Sequence, residues 1–211
     1  MPVPADIYLF RITHIDNLKY ILKAGKLTAP NHVNRDANYI GIGDVTLINS
    51  RGSKSIPLPP GGTFLDYVAF YFGTKSPMLY SIKNGYNKVT KRDMEEIIYI
   101  VTEFNHVKIN KLPFVFFDGH GYHNFSKCYN KEEHLTQVPW TNVHETDWRD
   151  TESQPDRKRE KQAEFLVYQE ISLTAIIGIG VYNDNALIKT NSYLKKVGSI
   201  IKVKIHKDWY Y

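Results

Sequence analysis

Ala163-Glu-Phe-Leu-Val-Tyr168 (AEFLVY) decides how this chain is read. An unbroken apolar run of strand length, rich in aromatic and branched residues, reads as a β-strand buried within a sheet. Glu164 enters that run at its second position. Carboxylates are almost never fully buried without a partner. At the mouth of an apolar strand, just after the basic run RKREK (157–161), Glu164 is therefore a paired structural acid or a catalytic one.

Outward from this strand, Ile7–Thr13 (IYLFRIT), Glu96–Thr102 (EIIYIVT) and Phe114–Phe117 (FVFF) read as further strands, and Ser199–Ile205 as the last. Asp16 stands at the N-cap of a helix whose Leu18, Ile21 and Leu22 recur at helical spacing until Gly25 stops it. A second helix is expected around Asn185–Val197. Thr63–Phe72 reads as helical or mixed and leads into Ser76-Pro-Met-Leu-Tyr80. Asn31–Pro60, rich in Asn, Gly, Ser and Pro, reads as a long loop, and loops of that length are usually functional or mobile. Residues 141–162 read as an exposed loop with a helical turn. Strands outnumber helices and lack βαβ alternation, so the class is α+β rather than a doubly wound sheet.

The chain has 211 residues, 42% of them hydrophobic, which suits one domain spanning 1–211. The lone Cys128 excludes a disulfide framework, a Cys-rich zinc site and an intramolecular redox pair. No stretch approaches 18 apolar residues, and MPVPADIYLFRIT lacks the basic n-region and small-residue cleavage site of a signal peptide. A cytoplasmic monomer without membrane association is the expectation. Charge is unevenly spread. Residues 75–92 carry Lys75, Lys83, Lys88, Lys91 and Arg92 with no acid, residues 186–211 carry six lysines and one Asp, and residues 131–156 carry seven acids and two bases. The two basic segments are either scattered solvated lysines or a surface for a polyanion.

Common nucleotide motifs are missing. Gly73-Thr-Lys-Ser imitates only the end of a phosphate loop, and Gly178-Ile-Gly180 lacks the third glycine of a dinucleotide fingerprint and reads as a turn. Neither GxSxG nor HExxH occurs. Asp118-Gly-His120-Gly-Tyr-His123 has donors that could reach a borderline cation, but nothing in the sequence supplies the remaining ligands, so a substrate-contacting or self-tied loop is the other reading. His14, directly after the first strand, points into a cleft beside the sheet or is an ordinary satisfied surface histidine. Arg51, in NSRGS, sits where no helical pattern asks for a charge.

Longer strings carry more. FRITHIDNLKYILKAGKL (10–27) is similar to the opening element of ADP-ribosyltransferases, and a late strand entered through a Glu is similar to their catalytic element. Gly61–Tyr80 (GGTFLDYVAFYFGTKSPMLY), RDMEEII from Arg92, FVFFDGHGY (114–122), KQAEFLVY (161–168) and the terminal Trp209-Tyr-Tyr together resemble the DarT family of DNA ADP-ribosyltransferase toxins, from about Ile7 to Tyr210. That resemblance implies an ADP-ribosyltransferase-like split mixed sheet with flanking helices and long active-site loops. It implies transfer of ADP-ribose from NAD+, with no metal, to a base of single-stranded DNA, mostly thymine, although a related branch modifies guanine. It also implies a macrodomain antitoxin of the DarG type as partner.

Carried onto this chain, the resemblance makes Glu164 and Arg51 catalytic and puts Thr13, His14, Asn17, Arg51 and Tyr71 on NAD+. Tyr71 is a nicotinamide-stacking ring or a core aromatic. Lys75, Met78, Tyr80, Arg92, His120 and Arg157 are the candidates for DNA, with Arg159 an alternative to Arg157 in the loop before Glu164. Tyr80 and Tyr86 interleave with the bases of 75–92, the pattern that grips single strands. Phe117, Gly121 and His123 stand where many relatives are expected to have Thr or Ser, Ala and Tyr, which bears on base and sequence preference. The competing readings are a non-enzymatic single-stranded nucleic-acid binding module and a transferase of the same fold acting on guanine, RNA or protein.

Overall fold

Along residues 164–168, Phe165 and Val167 pack into the larger core with Val68, Phe70 and Phe116, while Leu166 joins Tyr67, Val115 and Phe117 on the other face. That is the period of two that a strand imposes. The computed structural model describes residues 1–211. Its strands are β1 (Tyr8–His14), β2 (Lys26–Thr28), β3 (Tyr67–Tyr71), β4 (Ile97–Glu103), β5 (Phe114–Phe117), β6 (Cys128–Tyr129), β7 (Glu164–Tyr168), β8 (Glu170–Ser172), β9 (Gly178–Val181) and β10 (Val203–Ile205). Its helices are α1 (Leu18–Ala24), α2 (Val45–Gly52), α3 (Pro77–Asn84), α4 (Phe104–Ile109), α5 (Trp140–His144), α6 (Arg157–Glu160) and α7 (Asp184–Lys196). The main sheet runs β10-β9-β4-β1-β3-β7-β5-β6, and β2 with β8 forms a separate pair. Only β9 and β10 pair in parallel, so the sheet is mixed and the class is α+β. None of the helices is long and apolar enough to cross a membrane.

One feature of the pairing opens the sheet. β1 pairs along its whole length with β4, from Tyr8↔Glu103 to His14↔Ile97, yet meets β3 at Phe10↔Tyr71 alone. Past that point β1 and β3 diverge, and Arg11 bridges them by donating from Nη1 to the Ala69 carbonyl at 2.8 Å. β3 continues into β7 with Tyr71 opposite Glu164, and Phe117 of β5 faces Glu164 from the other side. The glutamate is therefore placed by register between two aromatic neighbours, beside the split.

Several local expectations change. The helix after β1 ends at Gly25, whose φ of 67° suits glycine. Its start differs: His14 Nδ1 accepts the Asp16 amide and opens a 3-10 turn, while the Asp16 carboxylate takes Lys189 Nζ at 2.6 Å and Tyr193 Oη at 2.7 Å. The long polar segment 31–60 contains α2, capped by Asp44 and carrying no buried residue. Residues 63–72 resolve into a 3-10 turn at Phe64–Asp66 followed by β3. Gly178-Ile-Gly180 is strand rather than turn. A Cβ on Gly180 would lie 2.4 Å from the Trp209 ring, so the glycine admits the C-terminal aromatic cluster against β9. That cluster is anchored by Tyr210 Oη, which donates to the carbonyls of Ile97 and Gly180 at 2.9 and 3.1 Å.

Candidate active site

The split in the sheet opens into a cavity of about 670 Å³, within the range usual for small-molecule sites. Arg11, Ile12 and Thr13 of β1 line one side, and Ala69, Phe70 and Tyr71 of β3 line another. Glu164, the first residue of β7, looks into it while only 2% exposed. Both carboxylate oxygens are held. Oε2 accepts from Arg51 Nη2 at 2.6 Å, and Oε1 accepts the Gly121 amide at 2.7 Å. Each oxygen has a further lone pair, so the fixed carboxylate can still accept from a ligand.

Arg51 comes from the last turn of α2. Its guanidinium lies 4.4 Å over the Phe64 ring, and Nη1 is 3.4 Å from His120 Nε2. Lys54 secures the facing loop by donating to the carbonyls of Gly121 and Tyr122 at 3.1 and 2.8 Å. Gly121 is thus gripped at its amide by Glu164 and at its carbonyl by Lys54. A Cβ there would stand 2.6 Å from Glu164 Oε1 and 2.8 Å from Phe64, so the alanine expected at this position in many relatives would have to displace one of them here.

Burial pushes the His120 imidazole down to about 4, with Arg51, His123 and Lys54 adding to that and Glu164 opposing it. His120 is therefore neutral at neutral pH and able to donate or accept. The native state resists protonating it while the unfolded chain protonates near the ordinary 6.5, so its contribution is intact above that pH and is lost as pH falls from about 6.5 towards 4. His120→Gln is expected to flatten this acid limb by up to about 3 kcal/mol, read from urea unfolding at a series of pH values. Identical slopes in both proteins would refute it. Burial, then the neighbouring Glu164 charge, pushes the Tyr71 phenol up to about 12, so it too is neutral.

Thr13, Arg51, Tyr71, Met78, Tyr80, His120 and Glu164 all line this cavity. The remaining candidates sit elsewhere. His14 caps the 3-10 turn and places Nε2 3.4 Å from Glu96. Asn17 is completely buried behind the wall: Nδ2 donates to Thr13 Oγ1 and the Ile40 carbonyl at 3.0 and 2.8 Å, and Oδ1 accepts the Ile40 amide at 2.7 Å. Lys75 offers its backbone to Tyr99 and Tyr211. Arg92 faces Glu96 at 3.6 Å, and Arg157 faces Glu145 at 3.8 Å. Arg159 is spent on Asp118, Asp156 and Ser126. Because successive residues of a helix project about 100° apart, Lys158 lines the cavity while Arg157 and Arg159 on either side of it do not.

Asn17→Ala removes the groups that satisfy both Ile40 backbone polar atoms. An expected cost of roughly 2–4 kcal/mol follows, with faster amide exchange across 39–42. An unchanged urea midpoint would overturn this reading of Asn17.

Cavity residues the sequence reading missed are Arg11, Arg35, Tyr39, Trp148 and Lys158. Trp148 is fixed by donating from Nε1 to Tyr211 Oη at 2.6 Å, and its ring lies 5.6 Å from Tyr80. Arg11 could have been found by the argument applied to Glu164, since it is a charge inside an apolar strand. In the 118–123 loop, Asp118 pairs with Arg159 and accepts the Lys127 amide. No group of three or more His, Cys, Asp or Glu side chains comes together to hold a metal ion.

The chain matches the family described as ssDNA thymidine ADP-ribosyltransferase, DarT, over residues 10–211. It is 37% identical over 212 residues to a DNA ADP-ribosyl transferase of Thermus sp. (strain 2.9), covering 100% of this chain and 98% of the relative. It is 32% identical over 208 residues to one of Escherichia coli O127:H6, covering 99% and 95%. In three dimensions it superposes on Thermus sp. 2.9 DarT in complex with ADP-ribosylated ssDNA with a TM-score of 0.93, at 35% identity, covering 100% of this chain and 99% of that one. The same Thermus protein in complex with NAD+ superposes with a TM-score of 0.86, covering 99% of each chain.

Proposed function

The chain belongs to the DarT family of single-stranded DNA ADP-ribosyltransferases, and from that premise we propose how its cavity performs the reaction. The protein transfers ADP-ribose from NAD+ to single-stranded DNA and releases nicotinamide. We take thymine N3 as the acceptor atom.

Rupture of the bond between C1′ and the nicotinamide nitrogen develops positive charge on the ribose as a neutral molecule leaves. A carboxylate accepting a hydrogen bond from the ribose 2′-OH stabilises that charge. Glu164 has this role. Protonated N3 is a poor nucleophile, so its proton passes to Glu164 as the N3–C1′ bond forms. The C1′–nicotinamide and N3–H bonds break, the N3–C1′ and carboxyl O–H bonds form, and neutral nicotinamide leaves. Arg51, 2.6 Å from that carboxylate, orients it and offers its remaining N–H donors to the acceptor carbonyl or a phosphate. His120 and Tyr71, both neutral, can hydrogen-bond a base or ribose without adding charge. Met78, Tyr80 and Trp148 supply stacking surface, and Lys158 a cation, for the DNA strand.

The observation that supports this reading most is the 2%-exposed carboxylate opening onto a cavity of dinucleotide size. The reading extends to one domain over 1–211 and to a macrodomain antitoxin of the DarG type that reverses the modification. Incubation with NAD+ and oligonucleotides varied one base at a time tests it. Oligonucleotides containing thymine should gain the mass of one ADP-ribose, and those without thymine should gain none. A gain on guanine alone would move the acceptor, and salt-sensitive DNA binding with no transfer in any oligonucleotide would leave a binding module instead.

A further inference from the structure

Trp148 reaches the cavity from a stretch with no helix or strand to hold it. Residues 145–156 lie between α5 and α6, and every hydrogen bond and ion pair they make but one closes within 141–160. The exception is the Trp148 Nε1–H, donated to Tyr211 Oη at 2.6 Å. Tyr211 does not itself line the cavity, yet its phenol joins three parts of the wall around Trp148. Oη accepts from Trp148 while donating to the Lys75 carbonyl, one residue before Ser76 caps α3. The Tyr211 ring meets Tyr80 of α3 edge to face with centroids 5.2 Å apart, and Tyr80 in turn meets Trp148 edge to face at 5.6 Å. Burial pushes the Tyr211 phenol up to about 12, so the hydroxyl keeps the proton it donates. The neighbouring Tyr210 is 3% exposed and donates to the carbonyls of Ile97 and Gly180, which gives the latch a fixed base.

We propose that Tyr211 is a positioning residue for the acceptor strand: its phenol latches residues 145–156 against α3, so that Trp148 and Tyr80 stand edge to face at the cavity and receive single-stranded DNA. This rests on the reading of those two rings as stacking surface for DNA and names what holds them. A ring fixed before the strand arrives stacks without a further ordering cost, whereas a ring on a free segment must be ordered by the DNA itself. The latch serves DNA binding and leaves the transfer step to Glu164 and Arg51.

Tyr211→Phe keeps the ring and its packing on Tyr80 and removes only the phenol oxygen. The Trp148 indole proton, identified by nuclear magnetic resonance through its loss in Trp148→Ala, should exchange at least about tenfold faster in Tyr211→Phe. The indole proton of Trp140, which donates to the Leu135 carbonyl, should keep its wild-type rate. Affinity for a thymine-containing oligonucleotide should fall about 3- to 10-fold, the worth of one net hydrogen bond. The KM for DNA should rise in step, with kcat and the KM for NAD+ held within about twofold. Trp148→Ala should weaken DNA binding at least as much, and Tyr211→Phe/Trp148→Ala no further than Trp148→Ala alone, since the latch then has nothing to hold. A Trp148 indole equally protected in Tyr211→Phe overturns the latch. Unchanged DNA affinity, effects that simply sum in the double variant, or a parallel rise in the KM for NAD+ overturns its role in positioning the strand. Oligonucleotide binding is measured without NAD+, so this test does not depend on transfer. If wild type binds DNA but transfers nothing, the transferase reading fails and the latch is judged on binding alone. If wild type binds no oligonucleotide, both fail.

Discussion

Glu164→Gln is expected to lower ADP-ribosyl transfer to DNA by about a thousandfold or more while the protein stays folded. Two effects combine. The neutral amide cannot offset charge building on the ribose, and loss of one well-placed electrostatic contact typically costs 10²–10³ in rate. It also cannot take up a proton from the acceptor base, and general-base catalysis contributes a further 10²–10⁴. The effects are not additive, since both fall on one transition state, so a thousandfold is the conservative figure. Gln keeps the side chain's length and one carbonyl oxygen. It can hold either the Gly121 amide or Arg51, not both, which implies a modest fall in stability. Single-turnover transfer should collapse with NAD+ affinity little changed, because the loss belongs to the transition state. Residual activity above a tenth of wild type would remove Glu164 from the chemistry.

Glu164 was visible in the sequence because an acid inside AEFLVY violates an otherwise apolar strand. The unbroken apolar run around it marked a strand covered on both faces, and its residues do pack alternately into two clusters. Arg11 carried an equal violation inside IYLFRIT, and it proves to bridge the split and line the cavity. What the sequence concealed was anything decided by long-range packing. α2 buries none of its residues, so no apolar stripe announced the helix that delivers Arg51. Asn17, expected on NAD+ by resemblance, lies behind the cavity wall instead: it is completely buried and fastens Ile40 to the end of β1. His14 is buried rather than on the surface, and it caps a 3-10 turn and faces Glu96 instead of lining the cavity. Gly180 reads as a turn until Trp209, distant in sequence, is seen to fill the space of its missing side chain. The DNA candidates from 75–92 divide in the same way. Met78 and Tyr80, on the capped helix α3, reach the cavity, whereas Lys75 and Arg92 are held beyond it by the C-terminal aromatics and by Glu96.

Arg51→Met should be the most destabilising single change at the site and should also abolish transfer. It leaves the Glu164 carboxylate buried with one amide hydrogen bond and no countercharge, since Lys54 is engaged with the carbonyls of the facing loop. Breaking a buried ion pair from one side costs about 3–5 kcal/mol, which in a chain of this length lowers the melting temperature by roughly 10 °C. The decisive measurement is the double variant Arg51→Met/Glu164→Gln. Removing the charge that Arg51 compensated should restore most of the stability lost in Arg51→Met, a coupling well outside the few tenths of a kcal/mol expected of independent sites, while transfer stays abolished. Recovery of the fold without recovery of activity would separate the two functions of the pair, one holding the carboxylate in a dry site and the other using it. Strict additivity would mean that Arg51 does not compensate Glu164, and the ion pair would lose its place in the account of both stability and catalysis.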